Sequence, residues 1–379
     1  MHLYIHVPFC QRRCSYCDFS IAVRKRIPTG EYVETILTEA ARIPTSHLET
    51  IYLGGGTPSL LPSDAIRTLL HELTQRFRIP HSAFRIEVTL EANPEDVTVD
   101  SARSWKATGI NRVSLGAQSF DDKVLTWMHR SHDAAQTKRA VQALRDAGIE
   151  NISLDLIFGL PEELQRNWER DLDILCSLLP AHCSLYGLTV EPRTPLDRWI
   201  SRGATHAPDE ERYADEYLTA HRRLTADGLV FYEVSNAARN GYRSQHNSAY
   251  WSGNAYIGLG PAAHSFDGTT RRWNLRAWEA YRRAVGEGRS AVEAEETLND
   301  EQRYLEGIYL GLRTVEGVPF AALRRPSPPS AAAVLSPPPH LAAQGWVEVR
   351  DGRLRCTPEG WLRLDSLVSE LTMQTEIRS

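Results

Sequence analysis

A chain of 379 residues is long enough for one large domain and a smaller one, each with its own buried core. Hydrophobic residues make up 42% and charged residues 24%, a balance that sets it apart from disordered and fibrous chains. A formal net charge of −5 argues against a broad basic footprint for nucleic acid. No apolar run approaches the ~18 residues of a membrane span.

The chain enters a strand at once with "LYIHV" (3–7). The opening "MHLYIHVPF" lacks the architecture of a signal peptide, so a cytoplasmic location is expected, with room for peripheral membrane contact. Directly behind it, "CQRRCSYCDF" places Cys10, Cys14 and Cys17 at x3 and x2 spacing. The other cysteines (Cys176, Cys183 and Cys356) stand singly among apolar neighbours and read as small buried residues. A chain of this length in a reducing compartment has no need of disulfides. Three thiolates in one tight loop fall one short of the usual structural zinc site. They suit three irons of a [4Fe–4S] cube, with the fourth iron left open for a small ligand. A zinc completed by a distant histidine, or chance core cysteines, are the alternatives that spacing alone leaves standing.

Five further β-rich runs follow: "TIYLG" (50–54), "RIEVTLEA" (85–92), "RVSLG" (112–116), "ISLDLIF" (152–158) and "SLYGLTV" (184–190). Helical patterns such as "DAIRTLLHELTQRF" and "KRAVQALRDAG" lie between them, and Gly109, Gly148 and Gly228 stand where helix C-terminal caps want a left-handed residue. Six β/α repeats predict parallel strands joined by right-handed crossovers. Six strands are too few to close an eight-stranded barrel, so the spacing predicts an open, partial (β/α)6 barrel.

Such barrels build their sites at the C-terminal ends of the strands. Here those ends carry "GGGTPS" (Gly54 to Ser59), "LEANP" with Glu91, "GAQSF" with Gln118, and "FGLP" beyond Asp155. A tight turn explains a glycine run taken alone. Two carboxylates in apolar strands are harder to explain, because an unpaired buried carboxylate is costly. A ligand offering hydroxyl or ammonium groups would satisfy them.

Residues 208–227 read as a long amphipathic helix, followed by the strand "LVFYEVS". The stretch 243–275 has no clean period and holds "HNSAYW" (His246 to Trp251) and "GPAAHSF" with His264. A helix is expected over 298–314. The prolines of "PSPPSAAAVLSPPPH" (326–340) forbid a regular helix or central strand. The tail predicts a hairpin turning on Asp351-Gly352, then a helix.

Taken together, "LYIHVPFCxxxCxYCDF", "IYLGGGTPSLL", "LEANP", "RVSLGAQSF" and "LDLIFGLP" resemble the radical S-adenosylmethionine (SAM) proteins. More narrowly, they resemble the branch that holds oxygen-independent coproporphyrinogen III dehydrogenase and its haem-chaperone relatives of the HemW type. The resemblance implies a [4Fe–4S] cluster on Cys10, Cys14 and Cys17, with SAM on the open iron. It assigns Tyr4, Gly55, Gly56, Thr57 and Glu91 to that SAM, and Gln118, Arg130 and Asp155 to positions that surround a second SAM in the dehydrogenase. Two departures weigh against the dehydrogenase: Phe19 stands where it carries a further cysteine, and its N-terminal extension has no counterpart ahead of residue 3. "HNSAYW" matches the HNxxYW pattern of the chaperones, which implies haem as cargo, His246 as iron ligand, and Tyr250 and Trp251 as flat apolar faces. His264 is a second candidate ligand. Apo-haemoproteins, membrane-bound respiratory ones among them, are the implied acceptors. The alternatives are a coproporphyrinogen III dehydrogenase and a radical-SAM enzyme of another substrate. The expected organisation is a barrel over 1–235 with the cluster and SAM site, a connecting region over 236–297 with HNSAYW, and a C-terminal domain over 298–379 that resembles a winged-helix module.

Overall fold

The computed structural model of the chain describes residues 1–77, 86–323 and 339–373. Most of the proline-rich segment, residues 326–338, therefore lies outside the described residues. Six parallel strands form the barrel: β1 His2–Val7, β2 Thr50–Gly55, β3 Glu87–Ala92, β4 Arg112–Gln118, β5 Asn151–Phe158 and β6 His182–Gly187. They lie side by side in chain order.

Alternation along β1 shows why these runs are strands. Leu3, Ile5 and Val7 are fully buried in the main core, while His2, Tyr4 and His6 fall on the other face. The crossover helices are stopped and started as their sequences require. Thr98 and Asp133 close capping boxes with Ser101 and Gln136, and Gly109, Gly148 and Gly228 take positive φ just beyond helix ends.

The sheet does not end with the six strands. On one side β7 (Val230–Glu233) and β8 (Asn236–Ala238) add antiparallel strands beyond β6. On the other, β9 (Tyr256–Leu259) pairs parallel to β1, with His2 opposite Tyr256 and Ile5 opposite Leu259. Three short antiparallel strands continue outward: β10 (His264–Phe266), β11 (Thr270–Asn274) and β12 (Val292–Thr297). Much of the stretch without a clean period thus extends the barrel sheet.

The small C-terminal α+β domain is winged-helix-like. It joins the helix Asp300–Leu312 to a three-stranded sheet of Val318–Pro319, Val347–Arg350 and Arg353–Cys356. Its hairpin turns on Asp351 and Gly352, both at positive φ as a tight two-residue turn demands. No helix among the described residues is long and apolar enough to cross a membrane.

Candidate cluster and cofactor site

Phe9–Cys10 pairs with Ala22–Val23 in a two-stranded ribbon that pinches off the cysteine loop just beyond β1. The amide of Ser15 donates to the Met128 carbonyl and that of Leu196 to the Ser15 carbonyl, which pins the loop over the barrel mouth. Cys10, Cys14 and Cys17 are free thiols and line a cavity of 520 Å³. Gly55, Gly56, Thr57, Glu91, Gln118 and Arg130, from strand exits and the segments beyond them, line the same cavity, and Asp155 joins them from within β5.

The thiols already have polar neighbours. Thr57 donates its hydroxyl to Cys10 Sγ at 3.3 Å, and an Arg130 guanidinium nitrogen lies 3.6 Å from Cys14 Sγ. Hydrogen bonds to sulfur are what cluster thiolates use. Burial pushes the Cys17 thiol up to about 11, so loading with metal must displace its proton.

Glu91 is held on both oxygens, accepting from the Tyr52 hydroxyl at 2.8 Å and the Gly55 amide at 2.9 Å. Burial pushes its carboxyl up to about 7. Asp155 accepts from Ser114 at 2.9 Å and Ser153 at 2.9 Å, and burial raises it as well. These are the two buried carboxylates for which the sequence called for a partner. Gln118 sits at φ 64°, beside a register shift in β4, a strained conformation for a residue with a side chain.

The glycine loop, which lines the cavity, also makes room for its neighbours. A Cβ at Gly56 would lie 2.8 Å from the Phe9 carbonyl oxygen, and one at Gly55, at φ 112°, would lie 2.6 Å from the His6 ring. These glycines admit the cysteine loop and the His6 ring.

Several partners were missed in the sequence. Asn93 accepts from Arg130 at 2.7 Å, Tyr52 anchors Glu91, and His129 and Tyr186 complete the wall. Asn93 follows Glu91 within "LEANP" and Tyr52 lies within "IYLGGGTPSLL", which were the readable signals; His129 and Tyr186 carry no motif.

Tyr4 does not line this cavity. It lines a second one of 400 Å³, together with His6, Tyr250, Trp251, Tyr256, His264, Phe266 and Arg271. His246 lines neither. It is buried in the helix Gln245–Trp251, its Nδ1 2.7 Å from the Thr50 hydroxyl and its Nε2 2.9 Å from the Tyr250 hydroxyl. Burial lowers its pKa to about 3, so the ring is neutral. The helix therefore brings Tyr250 and Trp251 to the second cavity and keeps His246 behind them.

An open β/α barrel with three cysteines looped over the C-terminal ends of its strands is the architecture of a radical SAM protein. The sequence matches the radical SAM superfamily over residues 4–175 and the HemN C-terminal domain over 298–363. It is 34% identical to the haem chaperone HemW of Mycobacterium tuberculosis (strain H37Rv) over 97% of this chain and 94% of that protein. It is also 34% identical to the HemW of Bacillus subtilis (strain 168), over 83% of this chain and 84% of that one. The chain belongs to the HemW family. Its fold is shared with HemN, the coproporphyrinogen III oxidase of Escherichia coli, at a TM-score of 0.80 and 21% identity over 97% of this chain and 89% of that one.

The superfamily carries a [4Fe–4S] cluster and SAM, and the cavity fits both: three free thiols, two buried carboxylates and the glycine loop line it together. Cys10, Cys14 and Cys17 would hold the cluster, which when bound would supply an electron to the cavity. The chain's own residues do the rest. Thr57 and Arg130 reach the sulfur atoms of Cys10 and Cys14, and Glu91 is a carboxylate acceptor held beside the glycine loop.

Proposed function

We propose that this protein binds haem and delivers it to apo-haemoproteins, on a scaffold that holds a [4Fe–4S] cluster and SAM. The observation that carries the reading is the HNSAYW helix, which sets Tyr250 and Trp251 into an aromatic cavity. The names of the HemW relatives support it. Aromatic faces suit a flat conjugated macrocycle, and neutral imidazole suits its iron. For His246 to be the iron ligand, as the motif implies, Tyr250 must first release Nε2.

The proposed acceptors are apo-haemoproteins of the cytoplasm and the respiratory membrane, met by a peripheral contact. Porphyrinogen decarboxylation is not part of this reading. Phe19, 57% exposed at the cavity edge, stands where the dehydrogenase motif carries its further cysteine.

The test is anaerobic reconstitution followed by haemin titration. The loaded protein should show a Soret band and pass it to an apo-haemoprotein, and coproporphyrinogen III with SAM and reductant should remain unconsumed. Conversion of coproporphyrinogen III to protoporphyrinogen IX, without haem transfer, overturns the reading.

A further inference from the structure

Two histidines line the second cavity, and they differ in what they have left to offer. The His6 ring is used at both nitrogens, 3.1 Å from the Tyr4 hydroxyl and 3.0 Å from the Ser20 carbonyl. His264, on β10, is exposed, and neither of its ring nitrogens has a hydrogen bond among the described residues. Its ring stacks on Trp273 at 5.8 Å, which steadies the plane without using the nitrogens. Partial burial, then Arg271 and Arg276, disfavours the charged ring and lowers its pKa.

The rest of the cavity supplies the other two contacts an iron porphyrin needs. Tyr250 packs edge-on against Tyr256 at 4.6 Å, and Tyr256 lies 6.3 Å from Phe266, a continuous aromatic wall. Arg271 lies over Phe266 and pairs with Glu306 on the first helix of the C-terminal domain. A porphyrin propionate is a carboxylate like that of Glu306 and can take its place. At 400 Å³ the cavity is in the range of small-molecule sites but too small to enclose a haem, which suits a cargo that must leave.

We propose that this cavity seats the haem, with His264 as iron ligand and Arg271 as propionate partner. His246 then acts as a positioning residue that holds Tyr250 in the wall. The proposal rests on the haem reading above.

The test uses the anaerobic holoprotein with two probes, haemin and iron-free protoporphyrin IX. His264→Gly should weaken haemin binding at least tenfold and change its ligand signature, with free imidazole restoring that signature. Protoporphyrin IX, which has no iron to ligate, should bind that variant as it binds the unaltered chain. Arg271→Gln should weaken both probes several-fold, and Glu306→Gln, which frees Arg271, should tighten both. Unchanged iron and sulfide content shows that the variants are folded. Haemin binding that ignores His264, or a ligand signature lost only in His246→Ala, overturns the assignment. Absence of a Soret band in the unaltered chain overturns the haem reading itself.

Discussion

The hydroxyl of Tyr250 lies 2.9 Å from Nε2 of His246, four residues earlier on the same helix, and occupies the nitrogen that iron would need. The other face of this arrangement points to the barrel: the His246 ring stacks on Tyr52 at 5.0 Å, and Tyr52 donates to Glu91. One line of contacts therefore joins the HNSAYW helix to the cluster cavity.

His246→Ala should then act first on stability. It removes a buried ring and leaves Thr50 and Tyr250 short of a partner, at a cost of about 2–4 kcal/mol. Tyr250→Phe removes one hydrogen bond and should cost about 1–2 kcal/mol. Thermal melts of the cluster-loaded protein, read beside iron content, check both. An unchanged melting temperature for His246→Ala would contradict the buried geometry.

Cys10→Ala, Cys14→Ala and Cys17→Ala should each abolish the cluster, measured as about four irons and four sulfides per chain before substitution. Cys176→Ala, Cys183→Ala and Cys356→Ala should retain it, since all three are buried in the core. Each of these should cost about 1 kcal/mol through the small void it leaves. A full cluster in Cys14→Ala would refute the ligand set.

Gly56→Ala should lower cluster occupancy as well as SAM binding, because the added Cβ would press on the Phe9 carbonyl oxygen at 2.8 Å. Gly30→Ala is the control: nothing lies within 4 Å of its would-be Cβ, and it sits in the helix Thr29–Ala40, where alanine is preferred. Iron analysis separates the two, with loss at position 56 and retention at position 30. Equal occupancy would mean that the loop tolerates displacement.

Glu91 makes stability depend on pH in an unusual direction for a carboxylate. Folding raises its pKa from 4.5 to about 7, so between these values the folded chain holds a proton that the unfolded chain has lost. Stability should fall as pH rises through that window, by at most about 1.4 kcal/mol per pH unit, and then level off. Glu91→Gln should remove this contribution. Asp96, pushed up to about 6 by burial, acts in the same sense and leaves a residual slope. Melting temperatures of the cluster-free chain at pH 5 and pH 8 give the comparison. An identical pH slope in Glu91→Gln would show that its carboxyl titrates normally.

The barrel was legible because each of its strands is long enough to alternate and the first five exits carry a motif. The cysteine loop, Glu91, Gln118 and Asp155 could be placed at one end from that pattern alone. Shorter strands escaped: β10 spans only His264–Phe266, less than two periods of alternation. The run "SLYGLTV" reads as a strand to Val190, yet β6 stops at Gly187, where the backbone passes against the Tyr213 ring. The surroundings of His246 were unreadable for another reason. Thr50 and Glu87 supply its contacts from other strands, and no local pattern announces a partner so distant in the chain.

β1 is flanked by β2 and by β9, so this strand has one of its two neighbours about 250 residues further along the chain. On the ribosome that edge stays unpaired until residue 259 has been added, a delay on the order of tens of seconds. An exposed strand edge is a template for pairing with other chains. The nascent protein is therefore most open to aggregation across its N-terminal strand. Its yield in cells should respond to slower initiation and to trigger-type holdases more than to any change in the finished core.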